Sequence, residues 1–280
     1  MVLTSLKDSL FEGSCKVCNG KISNKQLDIF TEDEMNTFLA RIFDRSVTVN
    51  SLDKSMYQKI ARKITAGVYK GYGKNIINTT YNSPDYDMLQ SLRENVYIFS
   101  GAKTYQQTKD ISTLLAGPTA PRTFKEFKTL AKPLFKSYNE TYLKVEYNSA
   151  IAQARSASQW LEIENDKSIY DSLQYVTAGD NRVRPEHEIL NGIIRRVDDK
   201  FWDKFMPPNG WACRCLVIQQ MDVKETPLTT KNKPSIESVP KEFRFNPGKE
   251  KIIFSPYHPY FNVAKSEREY AKRNFDLPLL

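Results

Sequence analysis

Apolar residues recur at helical spacing through roughly the first 160 positions and lose that spacing afterwards. In "TEDEMNTFLARIF", Met35, Phe38, Leu39 and Ile42 fall at the interval that lines one face of an α-helix. Thr31 stands three residues before Glu34, a capping box in which hydroxyl and carboxylate each satisfy a free backbone N–H. A second helix is expected from Asp53 to Tyr69, ending near the glycines of "KGYGKN". A third opens at Ser83-Pro84, an N-cap followed by proline at the first helical position, and carries Leu89, Leu92, Val96 and Phe99 toward Gly101. "AKTYQQTKDISTLLAG" gives a fourth, stopped by Gly117-Pro118. Thr123 and Glu126 form another capping box at the head of the longest segment, which runs without glycine to about Glu162. Phe124, Phe127, Leu130, Leu134, Phe135 and Tyr138 make its apolar stripe, and Pro133 should kink it by removing a hydrogen bond and crowding the preceding turn. The alanine- and serine-rich "YLKVEYNSAIAQARSASQW" leaves room for another helix, or another subunit, to approach closely.

After Tyr175 the spacing fades and turn signals crowd together. Gly179-Asp180-Asn181 reads as a turn, and Pro185–Leu190 as a short helix stopped by Asn191-Gly192. "GIIRRV" reads as a short strand, "MPPNGW" as a strong turn and "ACRCLVI" as a further strand. The expected class is α+β: a predominantly helical N-terminal region followed by a small, loop-rich α+β domain with a candidate metal site. The expected boundaries are a leader without clear pattern over residues 1–30, a helical region over 31–167 and a motif domain over 168–220. A linker and C-terminal extension packing on that domain would occupy 221–280.

Composition and charge narrow the function classes. Forty per cent hydrophobic and 26% charged residues over 280 positions describe an ordinary soluble protein of one large domain or two modest ones. A formal charge of +8 permits contact with nucleic acid or an acidic surface. That charge is dispersed along the chain, without the concentrated stripe of a DNA-reading module, so any DNA contact is expected to be weak and non-specific. The start has no secretory h-region, and no run approaches the roughly 18–20 apolar residues of a membrane span. A reducing cytosol and no membrane partner are therefore expected, and paired cysteines there are more often metal ligands or free thiols than disulfides.

Candidate chemistry gathers between Asp180 and Cys215, in "DNRVRPEHEILNGIIRRVDDKFWDKFMPPNGWACRC". The chain has two histidines and four cysteines, and one histidine and two cysteines fall here. On a strand, Cys213 and Cys215 would share one face while Arg214 points away. Zinc takes four soft or borderline ligands in a tetrahedron, with His187 the obvious third. Asp180, His258 in "SPYHPYF", or water would complete it, water leaving an open and catalytic position. The competing readings are plain packing of a helix histidine and two small core cysteines, and a thiol nucleophile activated by His187. Cys15 and Cys18 in "CKVCNG" have the knuckle spacing without a second pair nearby, and read either as free thiols or as a half-site completed from elsewhere.

Across "YVTAGDNRVRPEHEILNG…DDKFWDKFMPPNGWACRCLV" the chain resembles the phage Mu F-like minor head proteins, the phage head morphogenesis family. The resemblance rests on Asp180, Arg182, Val183, Arg184, His187, Leu190, Gly192, the pair Asp198-Asp199, Pro207-Pro208-Asn209-Gly210-Trp211 and Cys213-Arg214-Cys215, and extends over roughly residues 95–262. It implies a minor protein of the virion, assembled in the host bacterial cytoplasm and associated with portal and capsid proteins in head assembly or DNA delivery. Some relatives carry a C-terminal toxin domain; none is expected in the 60 residues that follow Gln220. The expectation is a structural protein, not an enzyme, with zinc as the one candidate cofactor. The alternative is a metal-dependent hydrolase or nuclease in which His187, Cys213 and Cys215 hold zinc and Asp180 or Glu186 serves as general base.

Overall fold

The computed structural model describes residues 29–229 and 234–263; the leader with Cys15 and Cys18 lies outside them. Five long helices come first: α1 (Glu32–Phe43), α2 (Lys54–Tyr72), α3 (Pro84–Ser112), α4 (Phe124–Lys136) and α5 (Leu143–Asp166). Short elements follow: β1 (Ser172–Val176), α6 (Pro185–Glu188), β2 (Ile194–Arg196), α7 (Trp202–Phe205), β3 (Leu216–Gln220) and α8 (Pro247–Glu250). The class is α+β.

Local chemistry sets most helix ends. Both capping boxes form: Thr31 with Glu34 opens α1, and Thr123 with Glu126 opens α4. The Asp53 carboxylate accepts the Met56 N–H at 3.0 Å at the start of α2, and Gly73 ends that helix with φ +83°. Gly71 stays helical because α5 passes against it; a Cβ there would lie 2.1 Å from the Ile151 carbonyl oxygen. The small residues of α5 thus do admit a close neighbour.

The expected third and fourth helices are one. Helix α3 runs unbroken through Gly101, where glycine costs about 1 kcal/mol relative to alanine. Val96, Phe99, Ala102 and Tyr105 are all buried around it, so tertiary packing outweighs the local preference. The expected kink at Pro133 takes another form. Pro133 sits inside α4, and four residues on the chain widens into a π-helical segment, Ser137–Tyr142, before α5. Side chains take up carbonyls there: Ser137 Oγ donates to Pro133 O at 3.0 Å, and Asn139 Nδ2 to Phe135 O at 2.9 Å.

The described residues group into two compact units assembled from separate stretches rather than from consecutive blocks. One comprises residues 29–66, 94–147 and 260–263; the other comprises 67–93 and 148–259. In the second unit the three strands form an antiparallel sheet in the order β2-β1-β3, with Leu173 opposite Arg195 and Tyr175 opposite Val217. Leu173, Tyr175 and Val217 are buried, whereas Leu216 and Ile218 are exposed. Residues of the C-terminal extension pack on this unit. Gly248 of α8 sits so close to Trp160 that a Cβ would lie 2.2 Å from the Trp160 Cβ, and Phe243 meets Trp211 edge-on at 4.9 Å.

The first unit is centred on a buried ion pair. Lys103 Nζ donates to Glu146 Oε2 at 2.6 Å and to the Tyr138 carbonyl at 2.7 Å, and the Tyr260 hydroxyl donates to Glu146 Oε1 at 2.8 Å. Both charged side chains are fully enclosed. Burial pushes the Glu146 carboxyl up and the Lys103 ammonium down from their ordinary values, and the attraction between them opposes both shifts. Removing one partner leaves the other charge enclosed, so Lys103→Met should cost about 3–5 kcal/mol in urea unfolding. Lys103→Met/Glu146→Leu, which removes both charges, should recover most of that loss.

Candidate metal centre

Three short elements deliver the site. Arg184 ends an extended stretch, Pro185 starts α6, and His187 lies in that single turn, buried. The turn at 207–210 then returns the chain, with the Pro207–Pro208 peptide cis. Ala212 adopts φ +54°, and the Cys213 N–H donates to Gly210 O at 3.2 Å. Cys213 and Cys215 therefore lie just ahead of β3, which starts at Leu216, and not on a strand. The left-handed residue and the Gly210 turn replace strand pairing at that point.

Both sulfurs nevertheless point at one atom. Cys213 Sγ lies 3.7 Å and Cys215 Sγ 3.6 Å from His187 Nδ1, and the three candidate donor atoms lie within 4.8 Å of one another. Zinc bonds of roughly 2.3 Å to sulfur and 2.0–2.1 Å to nitrogen, at a tetrahedral angle, place N and S about 3.6 Å apart. The set is chemically suited to zinc, with two thiols and an imidazole. Hydrogen bonding from Cys215 and the nearby His187 hold the Cys213 thiol well below its ordinary range, and the Cys215 thiol is pushed up by its pairing with Cys213 and by burial. Beside the three donors is a cavity of about 10 Å³, lined in part by Arg182, Arg184 and Ala212. That is room for about one water molecule.

Asp180 and His258 stand outside the group. Asp180 accepts two hydrogen bonds from Arg214, at 2.8 and 2.6 Å, and others from Arg182. Those partners, Arg214 first, hold its carboxyl well below the usual carboxylate range. Arg214 is the residue between the two cysteines, so Asp180 anchors the Cys-Arg-Cys segment from its outer side. His258 is buried, with its ring edge-on to Trp211 at 5.8 Å and to Phe254 at 6.1 Å. It supports the wall of the 207–211 turn.

Further residues shape the centre. Arg184 donates to the Trp211 carbonyl and lies over Gly210, where a Cβ would meet its Nη1 at 3.0 Å. The Tyr175 hydroxyl donates to Asn209 Oδ1 at 3.0 Å, while Asn209 Nδ2 donates to Met206 O at 3.2 Å. Burial, followed by the two adjacent cysteines, raises the Tyr175 hydroxyl well above its ordinary value. Tyr175 was visible in the sequence only as the end of helical spacing. Its inward orientation follows from alternation with Leu173, both buried on β1.

Comparison with known proteins shows the family of the chain. The family of phage Mu protein F like proteins matches residues 58–218. The chain belongs to that family. The match starts earlier than the stretch legible in the sequence and takes in most of α2. Among Mu F-like relatives, protein F of Escherichia phage Mu, named for capsid assembly, is 41% identical over 71 residues, covering 25% of this chain and 16% of the relative. The Mu-like prophage FluMu F protein of Haemophilus influenzae is 39% identical over 77 residues, 28% of this chain and 18% of the relative. An uncharacterized protein of Methanocaldococcus jannaschii is 29% identical over 138 residues, 49% of this chain and 21% of the relative. The chain thus spans less than a quarter of each of these relatives. No solved structure matches.

Asn209 is completely buried, and its amide ties the turn to β1. Asn209→Ala strands the Tyr175 hydroxyl and the Met206 carbonyl and should cost about 1–3 kcal/mol in denaturant unfolding. A stability equal to that of the wild type would show that the turn is held by other contacts.

Proposed function

We propose that this Mu F-like chain acts in phage head assembly as a minor head protein, with portal and capsid proteins as its partners and the virion as its destination. In this reading it is not an enzyme, and His187, Cys213 and Cys215 hold a zinc ion that fixes the fold of the second unit. The observation that carries the reading is the convergence of two thiols and one imidazole beside a cavity of about 10 Å³. A hydrolytic zinc centre needs an open coordination position with room for substrate. Three of the four positions of a zinc tetrahedron are filled from the chain, and the cavity leaves room for a water-sized fourth ligand but not for a larger substrate. Asp180, one of the two candidate general bases of the hydrolase reading beside Glu186, is taken up by Arg214 and Arg182. The relative from phage Mu named for capsid assembly supports the head-assembly part.

Zinc that binds only the folded chain, present at a free concentration about 1,000-fold above its Kd, stabilises by about 4 kcal/mol. Chelation of the purified full-length protein should remove that increment, and His187→Ala and Cys213→Ser should show no further loss on chelation. Equal stability with and without chelator in the wild type would contradict the structural zinc. The assembly role is tested separately, by mass spectrometry of heads purified from the phage or prophage that encodes the chain. Its peptides should be found at low copy in the heads; their absence from heads would contradict the reading.

A further inference from the structure

Outside the metal centre, helix α4 carries a row of like charge. Its thirteen residues, Phe124–Lys136, carry four lysines and one glutamate, a net +3 within a chain of net +8. Lys125, Lys128, Lys132 and Lys136 follow one another at intervals of three, four and four residues, which keeps them on one side of the helix. They line a shallow surface groove together with Thr129 and Pro133. At a rise of about 1.5 Å per residue the row extends for roughly 16 Å. Glu126 is engaged in the capping box with Thr123, and Glu32 reaches Lys132 at 2.9 Å, so one acidic side chain meets the row. Totals taken over long stretches of sequence average this row away.

We propose that the lysine face of α4 binds the phosphate backbone of duplex DNA without sequence preference. The row has the composition of a phosphate contact, with four lysines lining one groove. It lacks the features of a docking site for an acidic protein, because protein interfaces are depleted in lysine and depend on tyrosine, tryptophan and arginine anchors. Exposed Leu130 and Phe124 are not among the groove-lining residues. Duplex DNA presents one charge per roughly 1.7 Å of axis, so a row of this length faces enough phosphates to engage every lysine. The proposal rests on the head-assembly reading only for why DNA is at hand; binding itself is measured on the isolated chain, so the two can fail independently.

The test is fluorescence anisotropy of the full-length protein with a labelled random-sequence duplex of about 20 base pairs, titrated between roughly 50 and 200 mM salt. Each lysine–phosphate contact contributes about −0.9 to the slope of log affinity against log salt. Lys128→Gln/Lys136→Gln should therefore flatten the slope by about 1.8 and weaken binding at least about tenfold near 0.1 M salt. Glutamine is close to lysine in helix propensity, and an unchanged circular dichroism spectrum confirms that α4 remains folded. Lys241→Gln/Lys251→Gln removes the same charge from exposed positions elsewhere and should leave the slope nearly unaltered. An unchanged slope in the α4 variant, or equal losses in the two variants, overturns the proposal. Displacement of the duplex by poly-glutamate at equal charge concentration would reassign the face to an acidic protein and would also overturn it.

Discussion

The second unit brings two sulfurs and one imidazole nitrogen to a common point from segments that have little regular structure. His187 stands in a helix of four residues, and Cys213 and Cys215 in a bend before a five-residue strand. Segments this short cannot hold a position by their own backbone hydrogen bonds, because helix and strand formation repay their entropy cost only over longer runs. Side chains bonded to backbone and to one another therefore fix the geometry. Asp180 grips Arg214 between the cysteines, Arg184 holds the Trp211 carbonyl, and Asn209 joins the turn to Tyr175. Around them the aromatic contacts of Trp211 with Phe243 and His258 bring the C-terminal extension onto the same turn.

The long helices were legible because their determinants are local. Two capping boxes, the proline after Ser83 and the apolar spacing of α1 are statements about neighbouring residues, and the structure realises each of them. What sequence could not weigh was competition between local preference and packing. Gly101 reads as a stop yet lies within a 29-residue helix, because its neighbours Phe99, Ala102 and Tyr105 are buried whichever way glycine leans. Pro133 reads as a kink, and the disturbance emerges four residues later as a π-helical segment stabilised by Ser137 and Asn139. The two compact units, built from interleaved stretches of chain, depend on long-range contacts that no linear boundary expresses.

At the centre, residue types carried the signal and backbone form did not. The pairing of Cys213 and Cys215 with His187 was readable from their rarity and spacing, although the cysteines converge from a left-handed bend and not from a strand face. Asp180 was readable as polar and chemically apt, but its partnership with Arg214 requires knowing that the Cys-Arg-Cys segment folds back onto the Asp180 turn. The same reversal turns a candidate ligand or general base into an anchor. Beside donors held this way lies a cavity with room for about one water molecule.

The central claim is that zinc sits between His187, Cys213 and Cys215. X-ray absorption at the zinc edge of the purified full-length chain tests it most directly, with Cys15→Ser/Cys18→Ser as the comparison. The account expects a shell of two sulfurs at about 2.3 Å and nitrogen or oxygen donors at about 2.0–2.1 Å, unchanged in that variant and lost in Cys213→Ser/Cys215→Ser. A protein without zinc, or a zinc shell whose sulfurs survive the loss of Cys213 and Cys215, would contradict it.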